Sequence, residues 1–343
     1  MKIALIGLPA SGKKTVFRLL TGRDVPASRK PGEALEGRAP LRDPRVDRLS
    51  AMYQPKRTVY AENHFILCPD IPVGATSREW LDAARRCDLI CPVVRAFNNQ
   101  AVYHAAGSID AERDRTLIES ELLLADMARI DKRLERIDKE KRAGQTPEQV
   151  LEETTLRRCM DALEQEQRLD CLTFEPHART AIRSMDLVTF LPLLSVYNVD
   201  EDALSGTPPH GGLNVSALIE QEIMELTDPD ERRGYLNSLG LAQPGVDRMN
   251  QAAYDSLGLM SFYTVGKDEV RAWTIRKGST APTAGGKIHS DIERGFIRVE
   301  VIKYDDLCAA GSEQAAKAQG RMQLKGADYV IEDGDICHFL FNV

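Results

Sequence analysis

The chain has no apolar run near the roughly 18 residues of a membrane-spanning helix, so no membrane partner is expected. It has no C-x-x-C pair. Its seven cysteines (Cys68, Cys87, Cys91, Cys159, Cys171, Cys308 and Cys337) are scattered and odd in number. That pattern speaks against a zinc site or a disulfide framework and for a reduced, cytoplasmic setting. Cys87 and Cys91 are expected to pack around one strand. A surplus of positive charge is also missing. The net charge of −7 argues against a nucleic-acid coat, while local basic faces remain open. No signal peptide is expected, because Met1 leads at once into an apolar strand. Finally, no threonine occurs from Gly22 to Arg57.

What is present begins with residues 7–15, G-L-P-A-S-G-K-K-T. They follow the apolar run Ile3-Ala4-Leu5-Ile6 and precede the amphipathic Val16-Phe17-Arg18-Leu19-Leu20. Strand, glycine loop and helix give the context in which the phosphate-loop pattern G-x-x-x-x-G-K-[ST] is meaningful. Gly7 and Gly12 let backbone N–H groups turn toward a phosphate, and Lys13 adds a charge at the helix start. Pro9, Ala10, Ser11, Lys14 and Thr15 complete the expected cradle.

At 343 residues the chain should form two or three domains. Residues 1–106 read as the first part of an α/β nucleotide domain. Phe65-Ile66-Leu67-Cys68 and Leu89-Ile90-Cys91-Pro92-Val93-Val94 are buried strands of a parallel sheet. Thr76 and Glu79 have capping-box spacing, which predicts a helix starting near Ser77. Residues 107–185 read as a helical insertion. Leu123, Met127, Ile130, Leu134 and Ile137 step by four, three, four and three, a heptad seam. Gly144-Gln145-Thr146-Pro147 breaks that helix, and a second follows to about Arg168, so an antiparallel hairpin (coiled coil) is expected. Residues 186–261 return to the nucleotide domain with Leu193-Leu194-Ser195-Val196-Tyr197. Residues 262–343 are β-rich, with strands expected at Ala272–Ile275, Phe296–Val301, Tyr329–Ile331 and Cys337–Phe341.

The C-terminal segments resemble the signature of the YchF/Obg-like ATPase family. They are Val270-Arg271-Ala272-Trp273-Thr274-Ile275, Gly295-Phe296-Ile297-Arg298, Tyr329-Val330-Ile331-Glu332-Asp333-Gly334-Asp335 and Phe339-Leu340-Phe341-Asn342-Val343. The resemblance covers nearly the whole chain. It implies a Ras-like P-loop nucleotide-binding domain of the TRAFAC class, an inserted helical hairpin, and a C-terminal α+β ubiquitin-like (β-grasp) TGS domain. It further implies ATP or GTP as ligand, slow hydrolysis, and ribosome association through the TGS domain and hairpin. Asn198-Val199-Asp200-Glu201 looks like the family's base-reading N-x-x-E, and Ser216-Ala217 resembles the second base-contacting loop. His104, after Arg95-Ala96-Phe97, resembles the residue proposed to position the attacking water, with a loop histidine as the alternative.

Four departures bear on catalysis. Lys14 replaces the hydroxyl that ligates Mg²⁺, and an ammonium only donates. It reads either as a fixed charge in place of the metal or as a surface lysine. The switch threonine is absent. The D-x-x-G element survives only as Asp70-Ile71-Pro72-Val73 with Gly74 one place late, leaving Asp70 to reach Mg²⁺ through water. A Gly/Pro loop replaces the helix expected between Glu201 and Ser216. Three readings follow: a nucleotide-binding relative with weak or absent hydrolysis, an active slow NTPase, or an RNA/ribosome-binding module with a vestigial site. For the last, Arg271, Arg276, Lys277, Lys287, Arg294, Arg298 and Lys303 offer a basic stretch interleaved with acids.

Overall fold

The computed structural model describes residues 1–28, 30, 32–72, 78–104, 106–140 and 144–342. Val73, Gly74, Thr76, Ser77 and Val343, used above, lie outside the described residues. In chain order the elements are β1 (Lys2–Ile6), α1 (Lys13–Thr21), β2 (Leu35–Pro40), α2 (Pro44–Tyr53), β3 (Arg57–Val59), β4 (Glu62–Leu67) and β5 (Leu89–Arg95). Then come α3 (Ala111–Glu140), α4 (Pro147–Glu164), α5 (Pro176–Ala181), β6 (Val196–Asn198), β7 (Leu213–Val215), α6 (Ala217–Glu225), α7 (Pro229–Ser238) and α8 (Gly245–Ser256). The remainder is β8 (Leu259–Thr264), β9 (Glu269–Arg276), α9 (Ala281–Ile288), α10 (Ser290–Arg294), β10 (Phe296–Lys303), α11 (Tyr304–Ala310), α12 (Glu313–Ala318), β11 (Gln323–Lys325) and β12 (Asp335–Phe341).

The chain divides into two units, Met1–Ala39 with His64–Met249 and Pro40–Asn63 with Asn250–Val343. The first holds a sheet of order β2-β4-β1-β5-β6-β7. Its central pairs are parallel, with Ile3 opposite both Phe65 and Leu89, and Val196 opposite both Val93 and Leu213. Apolar residues fill these strands without alternation because both faces are covered. Ala4, Ile6, Ile66, Ile90 and Val94 pack with Tyr197, Ile118 and Leu122. Thr76 and Glu79 suggested a longer helix, yet the described residues form only single 3₁₀ turns at Glu79–Leu81 and Ala84–Arg86. Trp80, Leu81 and Ala84 are still buried, so the apolar spacing serves the core through two tight turns.

Helices α3 and α4 share a separate cluster in which Ile130, Leu134 and Ile137 meet Leu156, Cys159 and Leu163. Pro147 starts α4 beneath a reciprocal capping box between Thr146 and Gln149. Buried Asp126 on α3 accepts hydrogen bonds from both the backbone N–H and the hydroxyl of Thr189, each at 2.8 Å, and pairs with Arg85 at 3.0 Å.

The second unit holds a mixed sheet of order β11-β10-β12-β8-β9-β3. Val299 stands opposite Phe339 and Phe262 opposite Trp273 in antiparallel pairs, while Ile336 and Tyr263 mark a parallel one. β3 joins β9 in parallel, Arg57 opposite Glu269. Phe262, Trp273 and Phe339 form the aromatic core. The Tyr329–Ile331 run contributes only one bridge, Thr280 to Val330, rather than a strand. Fully buried Asp335 organises that stretch, accepting from Lys303 at 2.7 Å, Tyr329 at 2.8 Å and the Glu332 N–H at 2.9 Å.

Candidate functional site

The phosphate loop turns between buried β1 and α1. Gly12 caps the helix with φ 88 in the left-handed region, where an L side chain is strained. A Cβ at Gly12 would also collide with the Asn198 amide nitrogen. Ala10 takes the left-handed region as well, with φ 60. It is exposed and Pro9 half-buried, while Ser11 is buried. The Ser11 hydroxyl is one of the buried side-chain atoms without a hydrogen-bond partner. A Cβ at Gly7 would fall 2.6 Å from the Val93 carbonyl. The loop thus needs glycine at both ends because neighbouring backbone and amide groups fill the space.

Asn198, at the end of β6, joins two loops. Its Nδ2 donates to the Ser11 carbonyl at 3.1 Å, and its Oδ1 accepts from the Ala217 N–H at 3.0 Å. Ser216 is buried at the N-cap of α6. Val199 is buried, and its N–H donates to the Val215 carbonyl at 2.9 Å. Glu201 is exposed, opening a single 3₁₀ turn. Gly7, Pro9, Ala10, Ser11, Gly12, Asn198, Val199, Ser216 and Ala217 are therefore brought together at one end of the parallel strands.

Lys13 is 2 % exposed. Its ammonium donates to the Cys68 carbonyl at 2.8 Å and the Pro69 carbonyl at 2.9 Å, and lies 3.0 Å from the Asp70 carboxylate. Lys14 is exposed. It lines a cleft of about 710 Å³ with Thr15, Arg18, Asp24, Lys30 and Asp70. Lys14 and Arg18 stand one helical turn apart on the same side of α1.

His104 is buried beside the loop. It shares a small enclosed space with Leu8, Pro9 and Ser11. Its Nδ1 accepts from the Ala106 N–H at 3.1 Å, and its Nε2 lies 2.7 Å from Asp114. An acceptor at Nδ1 leaves the ring proton on Nε2, directed at the carboxylate. Arg113 braces the other Asp114 oxygen at 2.8 Å.

Three further residues organise the site without having been singled out from sequence. Arg95, 2 % exposed, lies over the Phe97 ring at 4.6 Å and donates to the carbonyls of Asn99 and Val102, each at 3.1 Å. It sets the loop leading to His104. Asp200 accepts from the Asn98 N–H at 2.9 Å, linking that loop to the Asn198 turn. Glu220 on α6 is buried and accepts from the Gly245 N–H at 2.6 Å at the start of α8. Burial pushes its carboxyl up to about 6, against the opposing backbone donors of Gly245 and Val246. An arginine at a strand end and an acid amid apolar positions are sequence signals of a kind that only the fold interprets.

A glycine loop between a buried central strand and a helix, closed by an asparagine from a later parallel strand, defines a P-loop α/β domain. Comparison with known proteins narrows this class. The family model YchF-GTPase_C, "Protein of unknown function (DUF933)", matches residues 259–342. The ribosome-binding ATPase YchF of Escherichia coli O157:H7 is 35% identical over 100% of this chain and 99% of its own length. That of Bacillus subtilis is 35% identical over 99% of this chain and 98% of its own. The solved structure of the Schizosaccharomyces pombe YchF GTPase superposes with a TM-score of 0.83 at 29% identity, covering 99% of this chain and 97% of that one. The chain belongs to the YchF family.

Proposed function

We propose that this chain binds a purine nucleotide, ATP or GTP, associates with the ribosome in the cytoplasm, and hydrolyses nucleotide weakly or not at all. The observation that carries the reading is the Gly12–Asn198–Ala217 junction. It holds a preformed phosphate loop against the base-side loops while a cation, Lys14, stands where a metal-binding hydroxyl would be. The relatives' names supply the ribosome. We read α3 and α4 as the family's hairpin and the second unit as its TGS domain. We read Glu201, exposed two residues beyond Val199, as the residue that meets the base edge.

The side chains around the cleft do not fit Mg²⁺. Lys14 is a donor only, and with Arg18 and Lys30 it outnumbers Asp24 and Asp70, the carboxylates of the cleft, so a divalent cation meets net like charge. Asp70, the carboxylate offered to the metal through water, is paired with Lys13. Phosphate binding would then rest on the loop N–H groups and these side-chain cations. His104, with both ring nitrogens engaged by Ala106 and Asp114, packs beside the loop and leaves neither nitrogen to hold a water. Isothermal titration of ATP and GTP in EDTA and in Mg²⁺, with single-turnover hydrolysis alongside, tests this. The expected result is comparable binding in both buffers with little turnover, and acquired Mg²⁺ dependence in Lys14→Ser. Binding abolished by EDTA, or brisk turnover, overturns it.

A further inference from the structure

The second unit keeps a strand edge that its own sheet leaves open. β10 pairs with β12 along the length of β12, from Lys303 opposite Asp335 to Phe296 opposite Phe341. On the other side β8 meets β12 at one register pair, Tyr263 with Ile336. β8 ends at Thr264, one residue past that pair, while β12 runs on to Phe341. Among the described residues, no backbone hydrogen bond joins His338–Phe341 to the segment that follows β8. In an antiparallel pair, alternate residues turn both N–H and C=O away from the partner strand. Alternate residues of His338–Phe341 therefore aim their backbone groups into the space beyond β8, a template for a further strand. Natural edges are guarded by lysine or proline, and His338-Phe339-Leu340-Phe341 contains neither.

A cavity of about 420 Å³ lies along this edge. Thr264 and Val265, where β8 ends, line it too, so it occupies the gap between the two strands. Its two faces differ in chemistry. Phe339 and Phe341 point to one face of the sheet, and Ile288 of α9 and Ile292 of α10 line the cavity with them. Phe341 is 46% exposed. His338 points to the other face, with Glu300 opposite it in register and 2.9 Å from its ring. Glu313 of α12 adds a second carboxylate to the lining. Among the described residues, no lysine or arginine lines the cavity.

We propose that the His338–Phe341 edge of β12 takes up an extended peptide of a partner protein as an added strand, one in which apolar residues alternate with lysine or arginine. Successive side chains of a strand point to opposite faces. The apolar ones would meet Phe339, Phe341, Ile288 and Ile292, and the cationic ones Glu300. Backbone hydrogen bonds supply the affinity in this mode, and the alternate contacts supply the choice of sequence. A second copy of this chain would bring the same two carboxylates to the contact, and like charges repel. A nucleic acid is disfavoured on the same ground. The proposal stands apart from the nucleotide and ribosome readings, since every residue in it belongs to the second unit.

The test uses the full-length chain and a fluorescein-labelled hexapeptide that alternates lysine and valine, followed by anisotropy. Saturable binding with a Kd under about 1 mM is expected, and its absence overturns the proposal. Methylating the backbone nitrogens of the lysines, and in a second peptide those of the valines, asks whether a strand is added. Only one of the two sets can face β12, so one methylated peptide should lose at least about tenfold in affinity and the other should keep it. Equal affinities of the two overturn strand addition.

Charge and apolar contact are tested on the protein side. E300Q/E313Q should weaken the lysine–valine peptide about fivefold to tenfold at about 50 mM KCl and far less at about 500 mM, where salt screens the pairs. F341S should weaken it by roughly tenfold at either salt. Circular dichroism should show both variants folded. Unchanged affinity in both variants, or equal binding of a hexapeptide alternating glutamate and valine, overturns the proposal. Sedimentation velocity covers the other occupant: a dimer of this chain that the peptide dissociates would give the edge to a second copy and overturn the partner peptide.

Discussion

The Lys13 ammonium and the Asp70 carboxylate lie 3.0 Å apart, and two carbonyls at the end of the β4 segment take the lysine's other protons. The loop's lysine is therefore held by the protein itself, and a phosphate must compete for it. Asp70→Asn weakens that hold. The pair is partly exposed and contributes about 1 kcal/mol, so ATP should bind several-fold more tightly in EDTA. Titration calorimetry reads this directly. Weaker ATP binding in Mg²⁺, with no change in EDTA, would show that Asp70 serves a metal instead.

Asn198 and Gly12 should behave as one unit. Asn198→Ala strips a partner from the Ser11 carbonyl and from the buried Ala217 N–H, costing about 2–4 kcal/mol. Gly12→Ala adds a Cβ where the Asn198 amide stands, at a backbone angle alanine resists. In the double variant the collision disappears, so the two costs should sum to less than their separate values. Urea unfolding of the four proteins measures the cycle, and strict additivity would show that the collision is relieved elsewhere.

For His104, substitution separates two roles. With Nδ1 and Nε2 both engaged, His104→Ala should lower stability by about 1–3 kcal/mol and leave ATP affinity within about twofold. An unchanged unfolding midpoint with lost single-turnover hydrolysis would instead assign the ring to the attacking water.

Helix α3 should depend on Asp126. Fully buried, it receives two donors from Thr189 and the Arg85 guanidinium. Asp126→Ala leaves Arg85 short of its carboxylate and should cost about 3–5 kcal/mol. Denaturant unfolding showing a loss below about 1 kcal/mol would mean that the pair is surface-like in energy.

Much of the loop was legible because backbone geometry restricts residue choice. Gly7 and Gly12 occupy positions that no Cβ fits, and such positions leave a mark in sequence. The parallel strands were legible because burial on both faces removes alternation. Lys13 and Asp70 were each visible, but their pairing arises only when β1 and β4 come into register and bring together residues 57 positions apart in the chain. The grouping of residues 40–63 with the C-terminal unit has no local signature either. β3 is three residues long, and its partner β9 begins about 200 residues later. Arg95 and Asp200 look like ordinary polar residues after strands until the loops they tie are seen.

Glu220 gives the stability a pH dependence whose sign can be worked out. Burial raises its folded pKa from 4.5 to about 6. Between these values the folded state holds more protons than the unfolded chain, so stability falls as pH rises. The contribution is fully present below about 4.5 and is lost as pH passes about 6, a change of about 2 kcal/mol. Above that range the ionised carboxylate remains, accepting from the Gly245 N–H at the start of α8. Glu220→Gln keeps an acceptor there but cannot titrate. Urea unfolding at pH 4.5, 5.2, 6 and 7 should show wild type losing stability relative to Glu220→Gln across the lower interval and running parallel to it above. Parallel curves throughout would mean that Glu220 ionises in the folded state as it does in the unfolded chain, and that water reaches it at the junction of α6 and α8.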